Sequence, residues 1–296
     1  MFPFLSLLLK FLCMRMLFSK RASVFIIAAI YVVAAVVGYC VFIGLEAAVP
    51  GLWALFVADA AATVIVWAFG VVFSNVSFYD PYWSVAPPVM FSAWAAYKGI
   101  FSLPVVLLLA AVWYWGARLT GNWIYTFHDL SHEDWRYTRL RKTQSPLLFQ
   151  LTNFFGLNMM PTVVVFAAML PGFALYENGT NANIWTWLGF VMCLSAATIQ
   201  LVADVQIHRF RNSNPGRYCD VGLWRRGRHP NYFGEILMWW GVWVMSLSQG
   251  SFDWSIAGPL AMTALFMFIS IPMMERRQLE NKPGYAEYRA RTRMLI

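Results

Sequence analysis

"ASVFIIAAIYVVAAVVGYCVFIGL", residues 22–45, contains no charged side chain and is long enough to cross a membrane as one helix. Similar runs follow along the chain, at 47–58 continuing past Asp59 to Tyr79, 81–97, 99–117, 143–176, 178–203, 236–252 and 254–274. The pattern predicts an all-α, polytopic transmembrane helical bundle with seven or eight spans. The weakest run is 81–97, which is short and contains the helix-breaking pair Pro87-Pro88.

The composition is also that of a membrane protein. Hydrophobic residues make up 60% of the chain and charged residues only 12%, whereas soluble domains average roughly 25% charged residues. The chain has 15 tryptophans, a residue that is enriched at the lipid–water boundary of membrane proteins. The four cysteines are scattered, so neither a disulfide framework nor a metal centre is indicated.

The positions of Lys and Arg predict the topology. With eight spans, every Lys and Arg except Lys98 falls on one side, in segments 1–21, 118–142, 205–235 and 275–296. The positive-inside rule makes that side cytosolic, in an endoplasmic reticulum membrane or a bacterial inner membrane. This placement explains the net charge of +8 without a nucleic-acid partner. We expect a single integrated membrane domain, in which 1–74 form an amphipathic lead-in and two spans, and 75–296 form the rest.

A basic loop interrupts the apolar sequence at 204–235, "DVQIHRFRNSNPGRYCDVGLWRRGRHPNYFGE". Its arginines can bind phosphate bidentately, and its interleaved aromatic residues can stack on planar rings. His229-Pro230 should end any preceding helix, so that the next span begins at Asn231 or Tyr232 and offers free N–H groups to an anion. The loop therefore predicts a site for an anionic, aromatic cofactor at the cytosolic mouth. Ordinary positive-inside flanking charge gives a similar composition.

Three carboxylates lie in or at the edge of predicted spans, where charge is costly and usually paired or functional. Asp80 lies in "NVSFYDPYWSVAPP", 75–88, beside Tyr79 and Tyr82. An Asp–Tyr pair can polarise a carbonyl group or deliver a proton, although an aromatic belt with a proline turn is the alternative. Asp204 either pairs with a loop arginine or orients a cofactor. Asp59 is expected to make a helix–helix hydrogen bond only.

The tail "KPGYAEYRARTRMLI", 282–296, places two tyrosines and an arginine on one helical face. These residues, Tyr285, Tyr288 and Arg289, could close over a bound cofactor. The histidines at 128, 132 and 208 have no matching ligand partners in the sequence, and we expect them to be surface residues.

"GLWRRGRHPNYFGEILMWWG", followed by "KPGYAEYRARTR", resembles the C-terminal half of the steroid 5α-reductase superfamily. "YDPYWSVAPP" and "HEDWRY" are similar to signatures of its largely uncharacterised, mostly microbial branch of reductase-like membrane proteins. The resemblance covers roughly residues 75–296. It implies a polytopic enzyme that uses NADPH to reduce an activated C=C bond in a lipid substrate from the bilayer.

The resemblance also implies which residues form the site. Asp80 stands near the position where the reductases keep an acid that binds the substrate carbonyl, and Tyr79 and Tyr82 are local candidates for the proton donor. The family's usual partner tyrosine falls near Tyr114 or Trp115. The NADPH site would be lined by Asp204, Arg211, Arg217, Tyr218, Trp224, Arg228, His229, Asn231, Tyr232, Glu235, Tyr285, Tyr288 and Arg289, with Gln200 as a further member.

Two other functions are compatible with parts of the sequence. Isoprenylcysteine and phospholipid methyltransferases share an Arg-His-Pro-x-Tyr-x-Gly stretch, here Arg228–Gly234, and bind S-adenosylmethionine, which has no phosphate. The arginine-rich stretch 209–228 favours the reductase. A non-enzymatic membrane protein is the second alternative. A transporter would be expected to have two related halves, which the sequence does not have.

Overall fold

The structure is a computed structural model that describes residues 18–176, 181–250 and 254–296. Its secondary structure over these residues is helical, and their one extended pairing is an isolated parallel bridge between Gly227 and Arg293. This confirms the predicted all-α class. Most of the predicted amphipathic lead-in, residues 1–17, lies outside the described residues.

The chain divides into two compact units. Unit 1 contains the described residues up to Ala86 together with Leu119–Val163, and unit 2 contains Pro87–Arg118 and Val164–Ile296. The unit boundaries fall inside three long helices, so the units share helices. The helices that lie in unit 1 or begin there are α1 (Lys20–Leu45), α2 (Gly51–Val72), α3 (Tyr82–Lys98), α5 (Trp135–Thr143), α6 (Pro146–Leu151), a π-helix (Thr152–Met159) and α7 (Met160–Phe173).

The remaining helices belong to unit 2, apart from the end of α4. They are α4 (Leu103–Thr126), α8 (Ile184–Ser213), a 3₁₀ turn (Gly222–Arg225), α9 (Pro230–Ser246), α10 (Ala257–Leu265), a second π-helix (Phe266–Ser270), α11 (Ile271–Asn281) and α12 (Tyr285–Arg291). Helix α9 begins at Pro230, one residue before the predicted start, because proline is well accommodated at the first helical position.

Six helical segments in the described part of the chain are long and apolar enough to cross a membrane. They are Lys20–Leu45, Gly51–Val72, Leu103–Thr126, Pro146–Tyr176, Ile184–Ser213 and Trp254–Asn281. Helices of this length satisfy their own backbone hydrogen bonds, which lipid cannot do for them. The six segments indicate a multi-pass membrane protein.

The Pro87-Pro88 pair does not break a helix. Helix α3 runs from Tyr82 to Lys98 with both prolines inside it. Proline removes one backbone donor and can be tolerated within membrane helices when neighbouring groups satisfy the freed carbonyls. The carbonyls that lose their backbone donor here are those of Trp83 and Ser84, four residues before the two prolines and within the first turn of the helix.

Small residues bring helices α8 and α9 close together in unit 2. A Cβ atom added to Gly189 would lie 2.4 Å from the carbonyl oxygen of Gly241, and one added to Gly234 would lie 2.7 Å from that of Ala196. Close backbone approach through small residues is a common way to pack membrane helices. It fixes α8, which carries Gln200 and Asp204, against α9, which carries Glu235.

Candidate functional site

A buried carboxylate, Glu275 of α11, joins three basic side chains in unit 2. Its Oε1 accepts hydrogen bonds from Arg228 Nε at 2.7 Å and from His229 Nε2 at 3.2 Å. Its Oε2 lies 2.9 Å from Arg289 Nε. Glu275, Arg228 and His229 are all buried. The cluster links the basic loop, the last long helix and the C-terminal helix α12.

The C-terminal tail is also paired directly with the basic loop. The backbone N–H of Arg228 donates to the carbonyl of Arg293 at 2.9 Å, and that of His229 to Met294 at 3.2 Å. Arg228 Nη1 donates to the carbonyls of Thr292 and Arg289. Arg228 is therefore fastened by both its backbone and its guanidinium group. The sequence predicted that Arg228 binds phosphate. In the structure its guanidinium group binds Glu275 and the C-terminal tail instead.

An aromatic cluster adjoins this loop–tail pairing. The rings of Tyr218 and Tyr288 are stacked, with centroids 4.9 Å apart, and the Tyr288 hydroxyl donates to the carbonyl of Trp224. Burial raises the pKa of Tyr285 to about 12 and also raises the pKa of Tyr288. Both phenols are therefore neutral at physiological pH and act as hydrogen-bonding and stacking groups.

A second buried cluster in unit 2 contains Asp204 and Glu235. Arg118, at the end of the unit 2 part of α4, donates to Asp204 and to Gln200 Oε1, the latter at 3.0 Å. Gln200 Nε2 in turn donates a hydrogen bond of 2.7 Å to Glu235 Oε2. The indole N–H groups of Trp115 and Trp239 also donate to Glu235, at 3.1 and 3.2 Å. Asp204 thus pairs with an arginine from another span instead of one from the basic loop.

Several other arginines of the basic loop remain available. The side chains of Arg211, Arg217, Arg225 and Arg226 are exposed and form no hydrogen bond or ion pair within the described residues. Lys282 lies near this positive charge, since burial, Arg211 and Arg277 all lower its pKa. An excess of unpaired cations is unfavourable unless solvent or an anion compensates it. These four arginines are therefore the groups of the loop best able to meet an anionic ligand.

In unit 1, Asp80 is bound by Tyr137 and lies close to Arg136. The Tyr137 hydroxyl donates to Asp80 Oδ1, and Arg136 Nη2 lies 3.6 Å from the same oxygen. Burial raises the pKa of Asp80 to about 6, although Arg136 opposes this shift. The predicted Asp–Tyr pair exists, but its phenol comes from α5 and not from the neighbouring Tyr79 or Tyr82.

A second aspartate of unit 1 also accepts a hydrogen bond from a tyrosine. Tyr82 donates to Asp59 Oδ1 at 2.8 Å, and the Tyr82 ring packs against Tyr79 with centroids 5.5 Å apart. The Thr63 and Thr162 hydroxyls lie 2.9 Å apart, and Tyr79 lies 2.7 Å from Thr162. All five side chains are buried. Asp59 makes the expected helix–helix hydrogen bond, and Thr63, Thr162 and Tyr79 form a separate hydrogen-bonded group of hydroxyls in the same unit.

The structure brings together Arg228, His229 and Arg289 through a residue that the sequence argument missed, Glu275. It also connects Asp204, Gln200 and Glu235 through Arg118, the first residue of the basic segment 118–142. Asn231 and Tyr232 lie in the first turn of α9, and the Tyr232 ring stacks on His229. A search for carboxylates at span edges would have found Glu275, because it follows the apolar run 254–274.

The fold and the buried polar clusters define a helical, multi-pass membrane protein. A family model described as "Protein of unknown function (DUF1295)" matches residues 66–292, and the chain belongs to this family. The "Uncharacterized protein C594.04c" of Schizosaccharomyces pombe is 23% identical to it in an alignment of 253 residues, and the match covers 76% of this chain and 73% of that protein. No solved structure matches the chain.

Proposed function

We propose that this protein is an NADPH-dependent membrane oxidoreductase that reduces an activated C=C bond in a lipid, such as a sterol, polyprenoid or fatty enone. The observation that carries the proposal is that the arginines of the basic loop fall into two groups, one bound within the protein and one exposed. Arg228 is bound internally, whereas Arg211, Arg217, Arg225 and Arg226 are exposed and unpaired among the described residues. Unpaired guanidinium groups suit the several phosphates of a dinucleotide.

The residues of unit 2 fit such a cofactor. Exposed arginines supply donors for phosphate, and the stacked Tyr218 and Tyr288 rings offer aromatic surface near the same loop. The first turn of α9, with Asn231, has backbone N–H groups without intrahelical partners. When bound, the dinucleotide supplies a hydride to the β-carbon of the enone. The protein's part is to hold and orient it.

Reduction of an enone also requires a proton, and unit 1 has groups that can hold one. Asp80 and Tyr137 share a hydrogen bond, as do Asp59 and Tyr82. The pKa of about 6 for Asp80 keeps part of its population protonated near neutral pH. We assign to these two pairs the stabilisation of the developing enolate oxygen and the delivery of the proton.

We further infer eight spans and a cytosolic basic loop. Besides the six long segments, α3 and α9 are apolar helices of 17 residues, or about 26 Å at 1.5 Å per residue. That length is slightly short of a bilayer core, and local thinning can accommodate it. Protease accessibility of a site inserted in 206–231 tests this topology: cleavage from the cytosolic side is expected, and cleavage only from the opposite side would overturn it.

The proposal is tested by titrating the full-length protein in detergent with NADPH, NADH and S-adenosylmethionine separately, and measuring the binding of each by calorimetry. Saturable binding of NADPH is expected. Binding of S-adenosylmethionine alone would support the methyltransferase alternative, because that ligand has no phosphate for the unpaired arginines. Failure of all three ligands to bind would leave the loop as flanking charge and contradict the proposal.

A further inference from the structure

The contact between His229 and Glu275 determines which ring nitrogen of the histidine carries a proton. A carboxylate oxygen in a buried ion pair accepts hydrogen bonds and cannot donate them. Glu275 Oε1 already accepts from Arg228, so its contact with His229 Nε2 at 3.2 Å requires a hydrogen on Nε2. In the neutral imidazole, Nδ1 is then the nitrogen with a free lone pair.

The rest of His229 is held in place. Its backbone N–H is bonded to Met294, its ring is stacked on Tyr232 with an interplanar angle of 7°, and it is buried. Nδ1 has no hydrogen-bond partner among residues 18–176, 181–250 and 254–296. A ring that is held at Nε2, stacked on one face and left with an unused acceptor at Nδ1 is suited to receive a donor from a bound molecule.

We propose that Glu275 is a positioning residue, which holds His229 by its Nε2–H and so presents Nδ1 as a hydrogen-bond acceptor to the bound dinucleotide. The donor is a ribose hydroxyl or the carboxamide N–H of that ligand, and both offer the same chemistry. Carboxylates orient catalytic and metal-binding histidines in the same manner. The identity of the ligand in this inference rests on the proposed function. The orientation of the His229 ring does not depend on it.

The orientation is tested by NMR on full-length protein labelled with ¹⁵N in histidine. The chain has four histidines, and the His229→Gln variant assigns the resonances of His229. We expect a protonated Nε2 whose hydrogen exchanges slowly and is shifted downfield, together with an unprotonated Nδ1. A hydrogen on Nδ1 in the wild-type protein would overturn the proposal.

Two variants separate positioning from general folding. Glu275→Met removes the acceptor with little change in volume, and we expect the Nε2 hydrogen to lose its downfield shift and slow exchange. Glu275→Gln keeps an acceptor oxygen and should restore both signals. Glu280→Gln, which alters an exposed carboxylate on the same helix, should change neither. Wild-type signals in Glu275→Met would contradict the proposal, and the wild-type spectrum decides the matter if that variant does not fold.

The ligand contact is tested by adding saturating NADPH. The Nδ1 resonance of the wild-type protein should shift towards that of a hydrogen-bonded nitrogen, and Glu275→Met should lower NADPH affinity on the order of 10-fold. NADPH that binds by calorimetry without moving Nδ1 would overturn the positioning proposal. Absence of any NADPH binding, with the Nε2–H orientation intact, would overturn the proposed function instead.

Discussion

Two carboxylates of unit 1 and two of unit 2 differ in the partners that bind them. In unit 1, Asp59 and Asp80 each accept a hydrogen bond from a tyrosine, and Asp80 has a guanidinium group only at the longer distance of 3.6 Å, from Arg136. In unit 2, Asp204 and Glu275 each accept from arginine. A phenol is a neutral donor that leaves the carboxyl group free to gain or lose a proton, whereas a guanidinium group holds it in the charged form.

This difference suggests separate tasks for the two sets of residues. The pairs of unit 1 are suited to proton transfer, because their members can exchange protons through hydroxyl groups. The pairs of unit 2 are suited to fixing a loop and a tail around a charged ligand. Each of the following changes alters one set and should leave the other intact.

The largest effect is expected from neutralising the carboxylates of unit 1. Asp59→Asn and Asp80→Asn should each lower turnover by about 10²–10⁴-fold, because the amide cannot hold the transferable proton. NADPH affinity should remain unchanged, as measured by calorimetry. Asp129→Asn is the matched control, because Asp129 is a half-exposed aspartate of unit 1 whose carboxylate is bound to Ser131. A parallel loss of NADPH binding would show that the two sets are not separate.

The next effect concerns the stability of unit 2. Glu275→Ala should lower the free energy of unfolding by about 3–5 kcal/mol, because it leaves Arg228 buried without its ion-pair partner. Glu280→Ala, which breaks an exposed pair with Arg276, should cost less than about 1 kcal/mol. Denaturant unfolding in detergent compares the two. An equally small loss of unfolding free energy in both variants would mean that the Glu275 cluster does not stabilise the fold.

A smaller effect is expected on ligand affinity. The double variant Arg225→Gln/Arg226→Gln should weaken NADPH binding by about 1.5–3 kcal/mol for each charge-assisted phosphate contact that it removes. It should leave unfolding unchanged, because neither side chain has a partner among the described residues. Lys98→Gln, outside the basic loop, is the control. Unaltered NADPH affinity would remove these two arginines from the site.

The smallest expected effect is a pH dependence of the folding stability of unit 1. The folded protein holds the Asp80 proton more tightly than the unfolded chain, since its pKa rises from 3.8 to about 6. Asp80 therefore favours folding at low pH, and this contribution is lost as pH rises from about 4 through 6. The loss should be roughly 1–2 kcal/mol, because the carboxyl group is partly screened by solvent. Thermal unfolding of Asp80→Asn should lack this slope, and an identical slope would exclude Asp80 as its source.

The sequence was sufficient to predict the helical membrane fold. Long charge-free runs such as 22–45 and 178–203 correspond to the long helices Lys20–Leu45 and Ile184–Ser213. Such runs are decisive because lipid excludes unsatisfied backbone groups and charge. The run 81–97, expected to be the weakest span, forms one helix through Pro87-Pro88, because the effect of proline depends on neighbours that the local sequence does not reveal.

The site could be predicted less completely, because its partners lie far apart in the chain. Nothing near Asp80 in the sequence indicates Tyr137, which is 57 residues away. Similarly, Arg118 binds Asp204 across 86 residues. The basic loop was recognisable from its composition, but composition could not separate the fastened Arg228 from the exposed Arg225 and Arg226. That distinction depends on Glu275 and on the tail.

The central claim, transfer of a hydride to a lipid, can be measured directly with two labelled cofactors. The full-length protein is incubated with a total lipid extract, NADPH carrying deuterium at its transferable hydrogen, and S-adenosylmethionine with a labelled methyl group. Mass spectrometry of the lipids should find deuterium in a product that has one C=C bond fewer, and none with the Asp80→Asn variant. Appearance of the labelled methyl group in a lipid, with no deuterium, would contradict the account.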